Sequence, residues 1–404
     1  MIRNIFSSPS MSNAHIYEFT HSPYDAPFYS QSFDFSCNTK KIGIIDQFNG
    51  KRPIVLNKSF LDGNKLDLQI YQTLILDSHI VDTLHRFVSG CGKLDDHSQE
   101  VTSNFLAHVS KLNCDYNPVF YLTENFAKST QEQFIKTSSE KLSSILKLHS
   151  MDENEFINNG VVKFKKDSVE HYCEIYRSVD LDACGISWAK EFAKSHSQKK
   201  YKDITKLTYA CLLKMVLIHF MRPEINAENI MGKYYDFEKF LMTELSIVLA
   251  RELKLALYYF SNFAGKFVSI QPNMRVEKAK KVLLSTAWDI LLLRLPEMLL
   301  SPKNLPELNL AYIVTSEEKL LSIGDMFNIE SIFYQDKESP AFPILSFNVK
   351  LFEKVLSPTE LNELMKHGER QATSRLSNTS KHISAQSLDW LIEDLELQLS
   401  YLCV

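Results

Sequence analysis

The stretch Leu66-Asp67-Leu68-Gln69-Ile70-Tyr71-Gln72-Thr73-Leu74-Ile75-Leu76-Asp77 runs directly into Ser78-His79-Ile80-Val81-Asp82-Thr83-Leu84-His85-Arg86-Phe87-Val88. Its first half ends in an unbroken apolar run, the pattern of a short buried strand. In the second half Ile80, Val81, Leu84, Phe87 and Val88 fall at helical spacing. Asp77 therefore stands at a strand-to-helix junction.

Working outward, β-like segments precede it at Lys41 to Asp46 and Pro53 to Asn57, and others follow late in the chain at Ala311 to Val314 and Ser331 to Tyr334. Between them the periodicity predicts helices over Val101 to Leu112, Pro118 to Lys136, Ser138 to His149, Ser168 to Arg177, Ser187 to His196, Asp203 to Met221, Phe237 to Phe263 and Val276 to Leu295. The expected fold is α/β and mainly helical, with strands flanking a helical middle. Residues 1 to 40 read as an irregular arm docked by its aromatics. His367 to Ser387 is polar and Ser-rich, a linker by composition. Beyond it Leu388, Leu391, Leu395, Leu399 and Leu402 form the stripe of an amphipathic helix that needs a covering surface, on this chain or on a partner.

At 404 residues the chain calls for two domains, or one domain with a large insertion. With 45% apolar and 23% charged residues, it has the composition of a chain that folds. A net charge of -4 supplies no general attraction for a polyanion, so a nucleic-acid site requires a local basic face. Seven scattered cysteines without a C-x-x-C pair fit a reducing cytoplasm. The N-terminus shows no signal-peptide pattern, and the run Leu207 to Met221, broken by Lys214, reads as a buried helix rather than a membrane span. There is no G-x-G-x-x-G, no G-x-x-x-x-G-K-[ST], no G-x-S-x-G and no H-E-x-x-H, which excludes the common nucleotide cradles, the esterase elbow and zincin chemistry.

Four acids remain. Asp77 either caps the helix that follows it or serves a cation at the carboxyl end of its strand, with Asp82 and His85 in support. Glu124 either pairs with Lys128 one turn on or faces the same crevice. Asp289 interrupts the largely apolar stretch from Val282 to Leu295, and its neighbours Ser285, Thr286, Leu292 and Leu293 offer no local cation. A buried carboxylate of that kind needs a distant arginine, a metal or a proton. Thr315 and Glu318 have capping-box spacing, which leaves Glu317 free to point elsewhere.

In order and context these acids resemble the motifs of the PIN-domain family of metal-dependent nucleases. The matching elements are Leu74-Ile75-Leu76-Asp77, Tyr121-Leu122-Thr123-Glu124, Trp288-Asp289-Ile290-Leu291 and Thr315-Ser316-Glu317. His79 replaces the family's usual Asn, Glu317 replaces an Asp, and the gap between the second and third acids calls for a helical insertion. The resemblance implies a PIN-like α/β/α core with a short parallel sheet. Its parts would be an arm at 1–67, core segments at 68–128 and 276–347, an insertion at 129–275, and a linker with terminal helix at 348–404.

The resemblance further implies that Asp77, Glu124, Asp289 and Glu317 ligate Mg2+ or Mn2+, that a metal-activated water hydrolyses phosphodiesters, and that the substrate is single-stranded RNA. Lys163, Lys165, Lys166, Lys199, Lys200, Lys202, Lys206, Lys278, Lys280 and Lys281 are the candidate backbone contacts, or simply solvated surface. By analogy such an enzyme acts as a toxin or defence effector, regulated or assembled through its insertion or terminal helix. Two rivals stand beside it. One is a non-enzymatic helical scaffold, and the other is a metal hydrolase of another class using Asp77 with His79.

Overall fold

A computed structural model describes residues 13–20, 34–64, 67–90, 92, 94–112, 114–195, 197–247, 249–377 and 385–403. Among the described residues nine strands lie in chain order: β1 His15–Thr20, β2 Asp34–Cys37, β3 Lys40–Ile45, β4 Arg52–Leu56, β5 Gln69–Leu76, β6 Asp115–Asn117, β7 Glu307–Thr315, β8 Ile329–Tyr334 and β9 Phe342–Leu345. Helices dominate the remainder, so the architecture is α/β and mainly helical. The chain divides into two compact units, Met1–Lys199 with Leu292–Ile344, and Lys200–Leu291 with Leu345–Val404.

The first unit is built on a five-stranded sheet in the order β2-β3-β7-β5-β6. β5 and β7 run parallel in register from Gln69 opposite Glu307 to Leu76 opposite Val314, so their carboxyl ends are level. Leu74, Ile75 and Leu76 are fully buried, as their apolar run predicts. β6 extends the parallel part on one side. The expected short parallel sheet is corrected on the other side, where β3 joins β7 antiparallel and β2 joins β3 antiparallel. Asn38 and Thr39 alone connect β2 to β3, and a two-residue link permits only an antiparallel hairpin; Asn38 takes the left-handed conformation, φ 52°, that such a turn demands.

A second sheet, β4-β1-β8-β9, places β1 between antiparallel neighbours. The supposed irregular arm therefore contributes β1, β2 and the start of β3. Its signal is faint because His15, Ile16, Tyr17 and Phe19 are all buried, which erases the alternation of a half-exposed strand. Tyr17 packs edge-on against Tyr334 at 5.5 Å, and Phe19 stacks on Phe48 at 4.7 Å.

The single helix expected over Pro118 to Lys136 is two, Val119–Lys128 and Gln131–His149. Thr130 and Gln133 form a reciprocal capping box that restarts the chain after Ser129. Gln131–His149 packs against Ser78–Ser89 and Leu181–Lys194. Residues 129–199 thus belong with the sheet unit, and the division falls after Lys199 rather than after Lys128.

The second unit is helical. The helix expected from Phe237 to Phe263 is broken between Ala227–Thr243 and Ala250–Phe260, where Ser246 adopts φ 52°. Among the described residues one helix, Lys199–Met221, is long and apolar enough to cross a bilayer, but most of that apolar window is buried inside the protein. Part of the proposed linker is helix, since Pro358–Ser377 continues through His367; its lack of an apolar period hid it, although Glu369, Arg370, Gln371 and Ala372 are good helix formers. Residues 378–384 lie outside the described residues. The terminal helix Ala385–Ser400 buries Leu388, Leu395 and Leu399, and Lys206 and Tyr209 reach Asp389 and Glu396 at 2.6 and 2.8 Å. Those three leucines of the stripe are covered by their own chain, whereas Leu391 is half-buried and Leu402 exposed.

Candidate functional site

The level ends of β5 and β7 bring Asp77 and Thr315 side by side. The Asp77 N–H donates to the Val314 carbonyl at 3.0 Å, continuing the ladder one residue past β5. Asp77 is 4% exposed, and it occupies the N-cap position of Ser78–Ser89 without any side-chain bond to the helix N–H groups. The expected cap is therefore not made. Instead Thr315 Oγ1 donates to Asp77 Oδ2 at 2.7 Å and accepts from the Glu317 N–H at 3.1 Å. This also replaces the expected capping box with Glu318: the Thr315 hydroxyl is engaged by its strand neighbour. Glu317 is the N-cap of Glu318–Ile323 and likewise makes no side-chain cap.

Glu124 reaches the same end from the helix Val119–Lys128. Ser78 Oγ donates to Glu124 Oε2 at 2.5 Å, and Lys128 Nζ lies 2.6 Å from Oε1. On the other side Glu317 Oε2 is 3.2 Å from Lys319 Nζ, and Oε1 is 3.8 Å from the exposed His79 ring. Burial raises the Asp77 carboxyl above its ordinary range; the Thr315 bond opposes this, Glu317 adds to the rise, His79 opposes it and Glu124 adds to it. Two of the other three acids singled out in the sequence, Glu317 and Glu124, thus act electrostatically on Asp77.

Their carboxylates are not drawn into one compact cluster. Among the described residues, only Cys37, His97 and Glu100 form a His, Cys, Asp or Glu group of three whose ligand atoms all lie within 4.8 Å of one another. Asp289 is buried in the second unit and has a polar or electrostatic partner, so it is not the lone carboxylate expected from its own helix. Asp82 pairs with Arg86 at 2.8 Å and Lys141 at 3.0 Å, and His85 Nδ1 meets Ser144 Oγ at 2.9 Å. Neither is engaged with Asp77. Lys163, Lys165, Lys166, Lys206 and Lys280 each meet a carboxylate.

The donors at the strand ends, three carboxylates and the hydroxyls of Ser78 and Thr315, are all hard oxygens, a set that suits Mg2+ or Mn2+. Sequence reading missed both hydroxyls. Thr315 is 238 residues from Asp77 and Ser78 is 46 from Glu124, so no local pattern pairs them. No protein-family model, curated protein or solved structure shows a significant match to this chain.

Proposed function

We propose that the crevice at the carboxyl ends of β5 and β7 takes a hard divalent cation, Mg2+ or Mn2+, through Asp77, Glu124 and Glu317, and that the protein is a PIN-like metal-dependent endoribonuclease. One observation carries the reading: the buried carboxylate of Asp77 declines the helix cap open to it and stands within the field of two further acids. Acids gathered without a compensating cation repel one another, and a divalent ion relieves that cost. Thr315 fixes the Asp77 carboxylate, while Glu124 and Glu317 exchange Lys128 and Lys319 for the cation. When bound, the ion supplies Lewis acidity and a more acidic water for attack on a phosphodiester. Single-stranded RNA is the substrate proposed, with a toxin or defence role as its context.

The deciding experiment is cleavage of single-stranded RNA by the purified full chain with Mn2+, compared with Asp77→Asn, Glu124→Gln and Glu317→Gln. Asp289→Asn tests whether the second unit contributes. Activity in the wild type, lost in the first three variants, supports the enzyme; equal activity in all of them sinks it.

A second reading, a non-enzymatic helical scaffold, is favoured by the lysines that already neutralise Glu124 and Glu317. It expects no change in melting temperature on adding Mn2+, whereas the enzyme reading expects a rise.

A further inference from the structure

The hairpin β2–β3 and the start of the helix Asp96–Val109 bring a thiol together with an imidazole and a carboxylate that lie 60 and 63 residues further along the chain. Cys37 Sγ lies 3.3 Å from His97 Nδ1 and donates to Glu100 Oε2, also at 3.3 Å. His97 and Glu100 are three residues apart, so the first turns of the helix present them on one face. A tetrahedral Zn2+ bound at its usual Zn–S, Zn–N and Zn–O distances separates its ligands by about 3.3–3.6 Å. The two spacings at Cys37 are about 0.2–0.3 Å shorter than the roughly 3.5–3.6 Å that a Zn–S bond with a Zn–N or Zn–O bond gives, so a small outward shift of the thiol seats the ion.

The surroundings are those of a held imidazole. Asn38 Nδ2 lies 2.8 Å from His97 Nε2 and 3.3 Å from Nδ1, so the amide borders both ring nitrogens, Nε2 the more closely. With its amide turned over, Asn38 offers an oxygen to that N–H, the outer partner that metal-bound histidines use to fix the ring. The left-handed backbone of Asn38, φ 52°, is what folds its side chain back against the helix. Lys40 meets Asp95 at 3.4 Å, and Asp95 accepts from the Ser98 N–H at 2.9 Å, so the hairpin is also tied to the capped end of the helix.

We propose that Cys37, His97 and Glu100 form a Zn2+ site that clamps the β2–β3 hairpin to the helix Asp96–Val109, with water in the fourth position. Thiolate, imidazole and carboxylate together select Zn2+ over the hard ions that suit the acids beyond β5 and β7. Zn2+ takes the place of the thiol proton now shared with Glu100, and that proton passes to solvent as the Zn–S bond forms. All three side chains are accessible, so an ion enters without unfolding. Gly43 pairs with Thr315, so the hairpin projects past the carboxyl end of β7. The site nonetheless depends on none of the residues in the nuclease reading, and either can fail alone.

The test is titration of the full chain with Co2+, whose thiolate complex shows a near-ultraviolet charge-transfer band, followed by displacement with Zn2+. The expected result is a one-to-one band in the wild type and in Asp77→Asn, absent from Cys37→Ser. His97→Ala and Glu100→Gln should each weaken Zn2+ binding by at least about ten-fold, the least that loss of even an outer partner costs at such sites. Cys37 is partly exposed, and an unchanged circular dichroism spectrum verifies that Cys37→Ser folds. No band in the wild type, or a band that survives Cys37→Ser, overturns the proposal.

Discussion

Thr315 donates from Oγ1 to Asp77 Oδ2 at 2.7 Å, joining the ends of two parallel strands across 238 positions of sequence. Both residues are buried, and the same hydroxyl accepts the Glu317 N–H. The bond thus fixes both the Asp77 carboxylate and the turn that carries the next acid.

Thr315→Val keeps the shape and removes the hydroxyl. The Asp77 carboxylate loses its donor and the Glu317 N–H its acceptor, so the variant should lose about 1–3 kcal/mol. Thr315→Ser keeps the bond and should lose much less. Urea denaturation of the three proteins measures this, and a Val variant as stable as the Ser variant would show that the hydroxyl contributes nothing.

Asp77→Asn should stabilise the metal-free protein near neutral pH. The folded state raises the Asp77 carboxyl above its ordinary value, so it binds the proton more tightly than the unfolded chain does. The stability tied to that proton is fully present below the unfolded value and is lost as pH rises through the raised folded one. Asparagine still accepts from Thr315 without a buried charge beside Glu317. If the relief is about 1 kcal/mol, melting rises by roughly 2–4 °C, and less so at acidic pH. Melting curves across pH check this; an equal shift at acidic and neutral pH would contradict it.

What the sequence discloses follows from the range of each interaction. The unbroken run Thr73 to Leu76 identifies β5, and the i to i+4 spacing foretells the Glu124–Lys128 pair. Thr130 and Gln133 carry a capping box that marks the break inside Pro118 to Lys136. The N-cap position of Asp77 is equally legible, but its choice of Thr315 over the helix is not, because the competing donor comes from another strand. Asp289 has the same difficulty: its own helix reveals that it needs a partner, and nothing local reveals that it belongs to the other unit. Cys37, His97 and Glu100 escape any search for paired cysteines, since a hairpin turn and a helix contribute the ligands separately.

Gly185 separates two kinds of reasoning. On helix propensity alone Gly185→Ala gains about 1 kcal/mol. The helix Leu181–Lys194, however, crosses Gln131–His149 so closely at this point that a Cβ would stand 2.4 Å from the Ser139 carbonyl oxygen and 2.7 Å from the Ser143 nitrogen. Both are backbone atoms that cannot swing aside. The helices must part, so the expected net result is a loss of about 1–3 kcal/mol. A gain in thermal stability would show that the helices approach less closely than this.

His219 gives a pH dependence of opposite sign in the second unit. Its ring packs on Tyr259 at 4.9 Å and lies 3.5 Å from Lys233 Nζ, which also donates to the Glu224 carbonyl and whose nearest further charges are Arg222 and Glu224. Burial, and after it the charge of Lys233, depress the imidazole to about 4. The unfolded chain therefore takes up the proton first, and stability present above the ordinary value of 6.5 is lost as pH falls toward about 4. Between pH 6.5 and about pH 5 the loss is at most about 2 kcal/mol, reduced by solvent screening around a partly exposed ring. His219→Gln retains an acceptor for Lys233 but cannot take up the proton. It should lower stability near neutral pH through lost ring packing, yet lose less than the wild type on acidification. Denaturation at about pH 7 and about pH 5 separates these effects. The buried ring of His15 and the half-buried rings of His85, His108 and His149, also depressed by desolvation, leave a residual slope in the variant. An unchanged slope would assign the acid sensitivity to those four rings and remove His219 from it.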